Sequence, residues 1–94
     1  MEELYKAAGI VKVMTLEKGI NIIDDALEIR RIQKMTAVGW ETSHFSLLLS
    51  LDPHVWVQTT GEIYACWYDD ELILHFDEKE METVRDVHSY LMEW

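Results

Sequence analysis

The one cysteine of the chain, Cys66, is the first candidate for chemistry, and it lies between Ala65 and Trp67. A reactive thiolate needs positive surroundings, so a packing position is the simpler interpretation of this apolar stretch. If the segment is a β-strand, His54 and His75 could share a face with Cys66 and supply a Cys–His pair. A small enzyme or ligand-binding pocket around Cys66, His54 and His75 is therefore kept as the third of three hypotheses.

Metal and phosphate sites leave characteristic spacings, and this sequence shows none of them. His75 and Asp77 are two residues apart and Asp69–Glu71 is an acidic triplet, but there is no His-Glu-x-x-His, no paired cysteine and no calcium-loop pattern. A glycine-rich phosphate loop is also missing, which argues against nucleotide chemistry. We expect no catalytic residues, no metal and no cofactor.

Charge is the strongest global signal. The chain has 18 acidic and 8 basic residues, a formal charge of −10, and residues 69–94 hold nine of the acids against only Lys79 and Arg85. Such a surface repels phosphate backbones and anionic lipids, so we expect no direct binding to nucleic acid or membranes. It attracts a basic partner protein. The alternative is that the charge only keeps a small domain soluble.

Size and composition predict one folded domain over residues 1–94. Hydrophobic residues make up 49% of the 94, and four Trp, four Tyr and two Phe supply large side chains for a core. The first residues lack the features of a signal peptide, no apolar run is long enough to span a bilayer, and a single cysteine fits a reducing compartment. We expect a cytoplasmic protein.

The N-terminal half can be interpreted in two ways. Residues 2–18 have helical spacing, but the β-branched "IVKVMTL" favours a short helix at 2–8 followed by a strand at 10–16. Asn21 could cap a second helix, for which acids at the head of "DDALEIRRIQKM" and bases at its tail predict residues 22–35.

The C-terminal half predicts antiparallel strands and a closing helix. "HFSLLLSL" is a strand candidate ended by Asp52-Pro53, and further strands are predicted near 54–59, 62–68 and 72–76. Asp77 and Glu80 form a capping box for a helix near 78–92. The predicted fold class is α+β: an antiparallel meander of three to five strands packed with one or two N-terminal helices and a C-terminal helix.

Alternation divides the meander into two faces. The apolar set is Val55, Val57, Ile63, Ala65, Trp67, Leu72, Leu74 and Phe76, which we expect to be the core. The opposite set is His54, Trp56, Gln58, Tyr64, Cys66, Tyr68, Ile73 and His75. Aromatic rings with polar tips are enriched at protein interfaces. The alternative is that the N-terminal elements cover this second face as another layer.

The leading hypothesis is a non-enzymatic protein that binds a basic surface of a partner protein, which could be a nucleic-acid enzyme. In general character the chain resembles small acidic inhibitors and immunity proteins, or decoys that mimic nucleic acid, although no shared motif carries that likeness. The second hypothesis is a self-associating accessory domain that forms a homodimer through its aromatic sheet face. Residues predicted to anchor or steer the partner are Trp56, Tyr64, Tyr68, Asp69, Asp70, Glu78, Glu82 and Asp86.

Overall fold

The computed structural model describes residues 2–94 and confirms the α+β class. Its elements, in chain order, are α1 (Glu2–Lys18), a 3-10 segment (Gly19–Asp25), β1 (Glu28–Thr36), β2 (Gly39–Leu51), β3 (His54–Gln58), β4 (Glu62–Trp67), β5 (Asp70–His75) and α2 (Met81–Met92).

The five strands form one antiparallel meander in the order β1-β2-β3-β4-β5. The three strands predicted after Asp52-Pro53 are confirmed. The strand predicted at 44–51 is confirmed and begins earlier, at Gly39. Each strand pairs with its sequence neighbours, so tight turns set most of the topology.

Both helices pack on one side of the sheet, which we call the helix face. Val55, Val57, Ile63 and Ala65 of the predicted core are fully buried there, and Trp67, Leu72 and Leu74 pack around them. A second cluster joins Phe45 and Leu47 of β2 to the 3-10 segment and α2. The predicted apolar face is therefore confirmed as the core.

The strand predicted at 10–16 is wrong, because residues 2–18 form one continuous helix. Leu4, Ala8, Val11 and Thr15 recur at helical spacing and are buried against the sheet. Burial of this stripe outweighs the modest β preference of the branched residues. Within residues 2–94, no helix has the length and apolar character needed to cross a membrane.

The helix predicted at 22–35, with Asn21 as its cap, is also wrong. Asn21 lies inside the 3-10 segment, and Glu28–Thr36 is an edge strand paired with β2. The basic residues that suggested the C-terminal end of a helix instead lie on alternate faces of the sheet. The guanidinium of Arg30 lies 4.6 Å from the Trp56 ring centroid, and that of Arg31 lies 5.4 Å from the Phe45 ring centroid.

The closing helix is confirmed, although it begins at Met81 and not near residue 78, and the reciprocal Asp77–Glu80 hydrogen bonds close the turn that precedes it. The Asp77 N–H donates to Glu80 Oε1 at 2.8 Å, and the Glu80 N–H donates to Asp77 Oδ1 at 2.7 Å. Val84, Val87 and Leu91 form the buried face. Gly61, at φ +114°, lets α2 begin close to the β3–β4 turn, because a Cβ there would lie 2.7 Å from the Met81 sulfur.

Candidate functional site: the open face of the sheet

The open face is the side of the sheet that points away from both helices. Cross-strand register places on it Glu28, Arg30, Ser46, Leu48, His54, Trp56, Gln58, Glu62, Tyr64, Cys66, Glu71, Ile73 and His75. Both core clusters, with α1 and α2, lie on the opposite side. The alternative that N-terminal elements cover this face is therefore wrong for residues 2–94.

A row of large side chains, the aromatic row, crosses the centre of the open face. Leu48 pairs with Trp56, Trp56 with Tyr64, and Tyr64 with Ile73, so the row runs over four adjacent strands. Directly opposite residues have Cβ atoms about 4.5–5.5 Å apart. Leu48 is only 6% exposed, so the accessible part of the row consists of Trp56, Tyr64 and Ile73. An aromatic patch of this kind with polar tips is suited to the centre of a protein interface.

Arg30 lies over the Trp56 ring of this row. The Arg30 Nε donates to Glu28 Oε2 at 2.5 Å, while its guanidinium lies 4.6 Å from the Trp56 ring centroid. A cation at this distance from an indole ring is held by the ring quadrupole. Sequence reasoning missed Arg30, because the segment was assigned to a helix. No local pattern indicates this position, because it depends on the pairing of β1 with β2.

The hydroxyl of Tyr64, on the same row, is hydrogen-bonded to the carboxylate of Glu71. Tyr64 Oη donates to Glu71 Oε1 at 2.8 Å. This hydrogen bond, with smaller contributions from partial desolvation and from the charge of Glu71, raises the pKa of the Tyr64 hydroxyl above its ordinary value of 10.0. The hydroxyl therefore stays a hydrogen-bond donor throughout the physiological range.

We expect the Glu71→Gln variant to lower the pKa of Tyr64, because a neutral amide oxygen accepts a weaker hydrogen bond from the hydroxyl than a carboxylate does and because the negative charge beside it is removed. The folded state favours the protonated form, so this contribution to stability is present below the ordinary pKa. It is lost as pH rises through the raised pKa. Ultraviolet titration of the tyrosines measures the shift, with Tyr64→Phe identifying the late transition. A late transition unchanged in Glu71→Gln would contradict the assignment.

Tyr68 extends the aromatic surface at the β4–β5 turn. Its ring is 91% exposed and stacks on Trp67 with centroids 5.5 Å apart. Its backbone has φ +56°, a left-handed conformation that a bulky residue adopts at a cost. The fold itself explains this conformation, because Tyr68 is the first residue of the two-residue turn between β4 and β5, and such hairpin turns need a positive φ at that position.

Two depressions lie at the end of the sheet nearest the β3–β4 turn. One, on the open face, has a volume of about 310 Å³ and is lined by His44, Gln58, Thr60, Glu62, Tyr64 and Ile73. The second, of about 390 Å³, adjoins α2 and includes Arg85 and His88. There Thr59 Oγ1 accepts the Phe45 N–H and lies 2.9 Å from His88 Nδ1, so His88 is fixed in place.

The eight predicted site residues fall into two groups. Trp56 and Tyr64 lie on the open face, with Tyr68, Asp69 and Asp70 at the β4–β5 turn beside it. The other three acids, Glu78, Glu82 and Asp86, precede or lie on α2. That helix packs on the other side of the sheet, near the β3–β4 turn. The two groups therefore lie on different sides of the sheet.

The residues of the third hypothesis are only partly brought together. Cys66 and His54 are direct cross-strand partners, and Glu71 pairs with Cys66 from the other side. His75 instead pairs with Glu62, farther along the sheet. The structure gives no hydrogen bond between Cys66 and His54, and Glu71 is engaged by Tyr64.

Metal chemistry has no geometric candidate in the described part of the chain. No three His, Cys, Asp or Glu side chains within residues 2–94 converge closely enough to hold an ion. The open face offers aromatic contact area and hydrogen-bonding side chains.

Compared with known proteins, the chain matches no family model, no curated protein and no solved structure.

Proposed function

We propose that this chain is a non-enzymatic cytoplasmic protein that binds a basic surface of a partner protein through the open face. An inhibitor or decoy of a nucleic-acid enzyme, or an immunity protein, is the most concrete form of this role. The observation that carries the proposal is the aromatic row, in which Trp56 and Tyr64 lie on a face that neither helix covers. Large rings at the centre of an interface supply most of its binding energy.

Tyr68 is a further candidate contact at the edge of the open face. It is 91% exposed at the β4–β5 turn, so its ring is accessible to a partner that extends past this edge. With Trp67 stacked beneath it, the ring is partly ordered before a partner arrives. Ordering in advance reduces the entropy lost on binding.

In this proposal some acidic residues contact the partner directly, and others attract it from a distance. Glu71 lies on the open face, and Asp69 and Asp70 lie at the β4–β5 turn at its edge, so these acids can contact basic side chains of a partner bound there. Glu78, Glu82 and Asp86 lie too far round the molecule for that contact, so they contribute through the long-range field. A charge of −10 on a small domain speeds encounter with a basic partner, most strongly at low salt.

We expect the triple reversal Glu78→Lys, Glu82→Lys and Asp86→Lys to slow partner association by about tenfold or more at low salt and to flatten its salt dependence. The dissociation rate should change little, because these residues lie outside the contact surface. Stopped-flow or surface-binding kinetics over a salt series measures both rates.

The matched control reverses three acids elsewhere, Glu2, Glu3 and Glu41, which gives the same change in net charge. An equal effect in both variants would show that net charge alone steers the partner. An association rate unchanged by either variant across the salt series would mean that the acids only keep the domain soluble.

Affinity capture from the source cell at low and high salt tests the function itself. A partner with a basic surface, retained by the parent chain and lost with Trp56→Ala, is the expected result. A salt-insensitive homodimer that Trp56→Ala disrupts would instead favour the self-associating accessory domain. An unusually fast reaction of the Cys66 thiol would favour the third hypothesis.

A further inference from the structure

Helix α1 is apolar on both of its sides. Leu4, Ala8, Val11 and Thr15 face the core, yet on the outer side Tyr5 is 62% exposed, Ile10 58% and Val13 55%. A helix that covers a sheet usually has a polar outer side. Together with Lys6 and Gly9, these three residues line a shallow groove that no other element within residues 2–94 fills.

The outer residues have the spacing of a helix-pairing seam. Lys6, Ile10, Val13 and Glu17 are separated by four, three and four residues. This is the a/d spacing of a coiled coil, with Ile10 and Val13 as its apolar layers and a charged residue at each end. All four positions are exposed, and they lie opposite the buried stripe of α1.

The charges at the two ends of this seam are complementary and free. Lys12 pairs with Glu80 at 3.3 Å and Lys18 with Asp25 at 2.5 Å, but Lys6 and Glu17 have no ion-pair partner within residues 2–94. When two such helices run antiparallel about a two-fold axis, Lys6 of each copy comes opposite Glu17 of the other. Ile10 then comes opposite Val13 at the centre.

Gly9 fits the same arrangement, because its position borders the seam and a Cβ there would meet nothing within 4 Å. Close approach of a second helix is therefore unobstructed on this side. We propose that a second copy of this chain docks antiparallel on α1, with the Ile10 and Val13 layers inside two Lys6–Glu17 ion pairs. The pairing is isologous, as a closed two-fold dimer requires.

This dimer leaves the open face accessible, so the dimer proposal does not depend on the proposed partner binding. Its contact is short, since α1 has 17 residues and is about 25 Å long. The interface falls at the small end of specific protein contacts, so we expect a reversible dimer in the micromolar range.

Sedimentation over a concentration series tests the pairing by charge reversal. Lys6→Glu and Glu17→Lys should each weaken dimerisation by about tenfold or more, because like charges then face each other twice. The double variant, Lys6→Glu with Glu17→Lys, should restore it. Loss of packing alone cannot explain a rescue of this kind, and Ile10→Asp should abolish the dimer.

Trp56→Ala is the control on the opposite face and should dimerise like the parent chain. A parent chain that stays monomeric at all concentrations would overturn the proposal, as would a double reversal that fails to restore the dimer. A dimer lost with Trp56→Ala but kept with Ile10→Asp would assign self-association to the open face instead.

Discussion

The Ile63→Ala variant is expected to lose about 2–5 kcal/mol of unfolding free energy, whereas Ile73→Ala should lose about 1 kcal/mol or less. These two isoleucines lie on adjacent strands of the same sheet but on opposite faces. Ile63 is 0% exposed beneath α1, and Ile73 is 52% exposed on the open face. Removing buried methylenes leaves a cavity, but removing them from a half-exposed position does not.

Urea unfolding measures both values, provided that the slope of free energy against urea stays the same in the two variants. The pair is matched in residue type and lies on neighbouring strands, β4 inside the sheet and β5 at its edge, so the difference in unfolding free energy reports mainly the difference in burial. Similar losses in the two variants would contradict the one-sided core and would mean that the open face is buried in solution.

We expect Trp56→Ala to cost about 2 kcal/mol or more in partner binding, roughly thirtyfold in affinity. The indole lies at the centre of the aromatic row, between Leu48 and Tyr64, with Arg30 over its ring. Losing a central anchor mainly shortens the life of the complex, so the dissociation rate should rise while association changes little.

Trp94→Ala is the matched control, since Trp94 is an exposed tryptophan that follows α2, away from the open face. It should bind the partner like the parent chain. Circular dichroism must show that Trp56→Ala remains folded. If it unfolds, Trp56 serves packing, and the open face loses its proposed anchor.

Sequence reasoning succeeded where local signals were sufficient. The strict alternation of Val55–Val57 and Ile63–Ala65 predicted both strands and their buried side. Likewise the Asp77–Glu80 pair predicted the capping box that precedes α2. Sequence reasoning failed in the N-terminal half, where contacts between residues distant in sequence determine the secondary structure. Val11 is helical because α1 packs on the sheet, and Arg30 is in a strand because β2 pairs with it.

The candidate site was predictable to the same degree. Alternation alone put Trp56 and Tyr64 on one face, and the structure keeps them there as cross-strand partners. Arg30 joins them only through the register of β1 on β2, which no local pattern encodes. The separation of Glu82 and Asp86 from that face depends on which side of the sheet α2 occupies, a choice made by its buried residues meeting Phe45 and Leu47.

Placing both helices on one side of the sheet separates the positions that determine the fold from the positions available for recognition. Along β3 and β4 these positions alternate, so every second residue can be exchanged without opening a cavity. Stability and activity usually compete when one side chain serves both. In this architecture a lineage can replace the outward residues one at a time and follow a changing partner, while the inward residues remain constant.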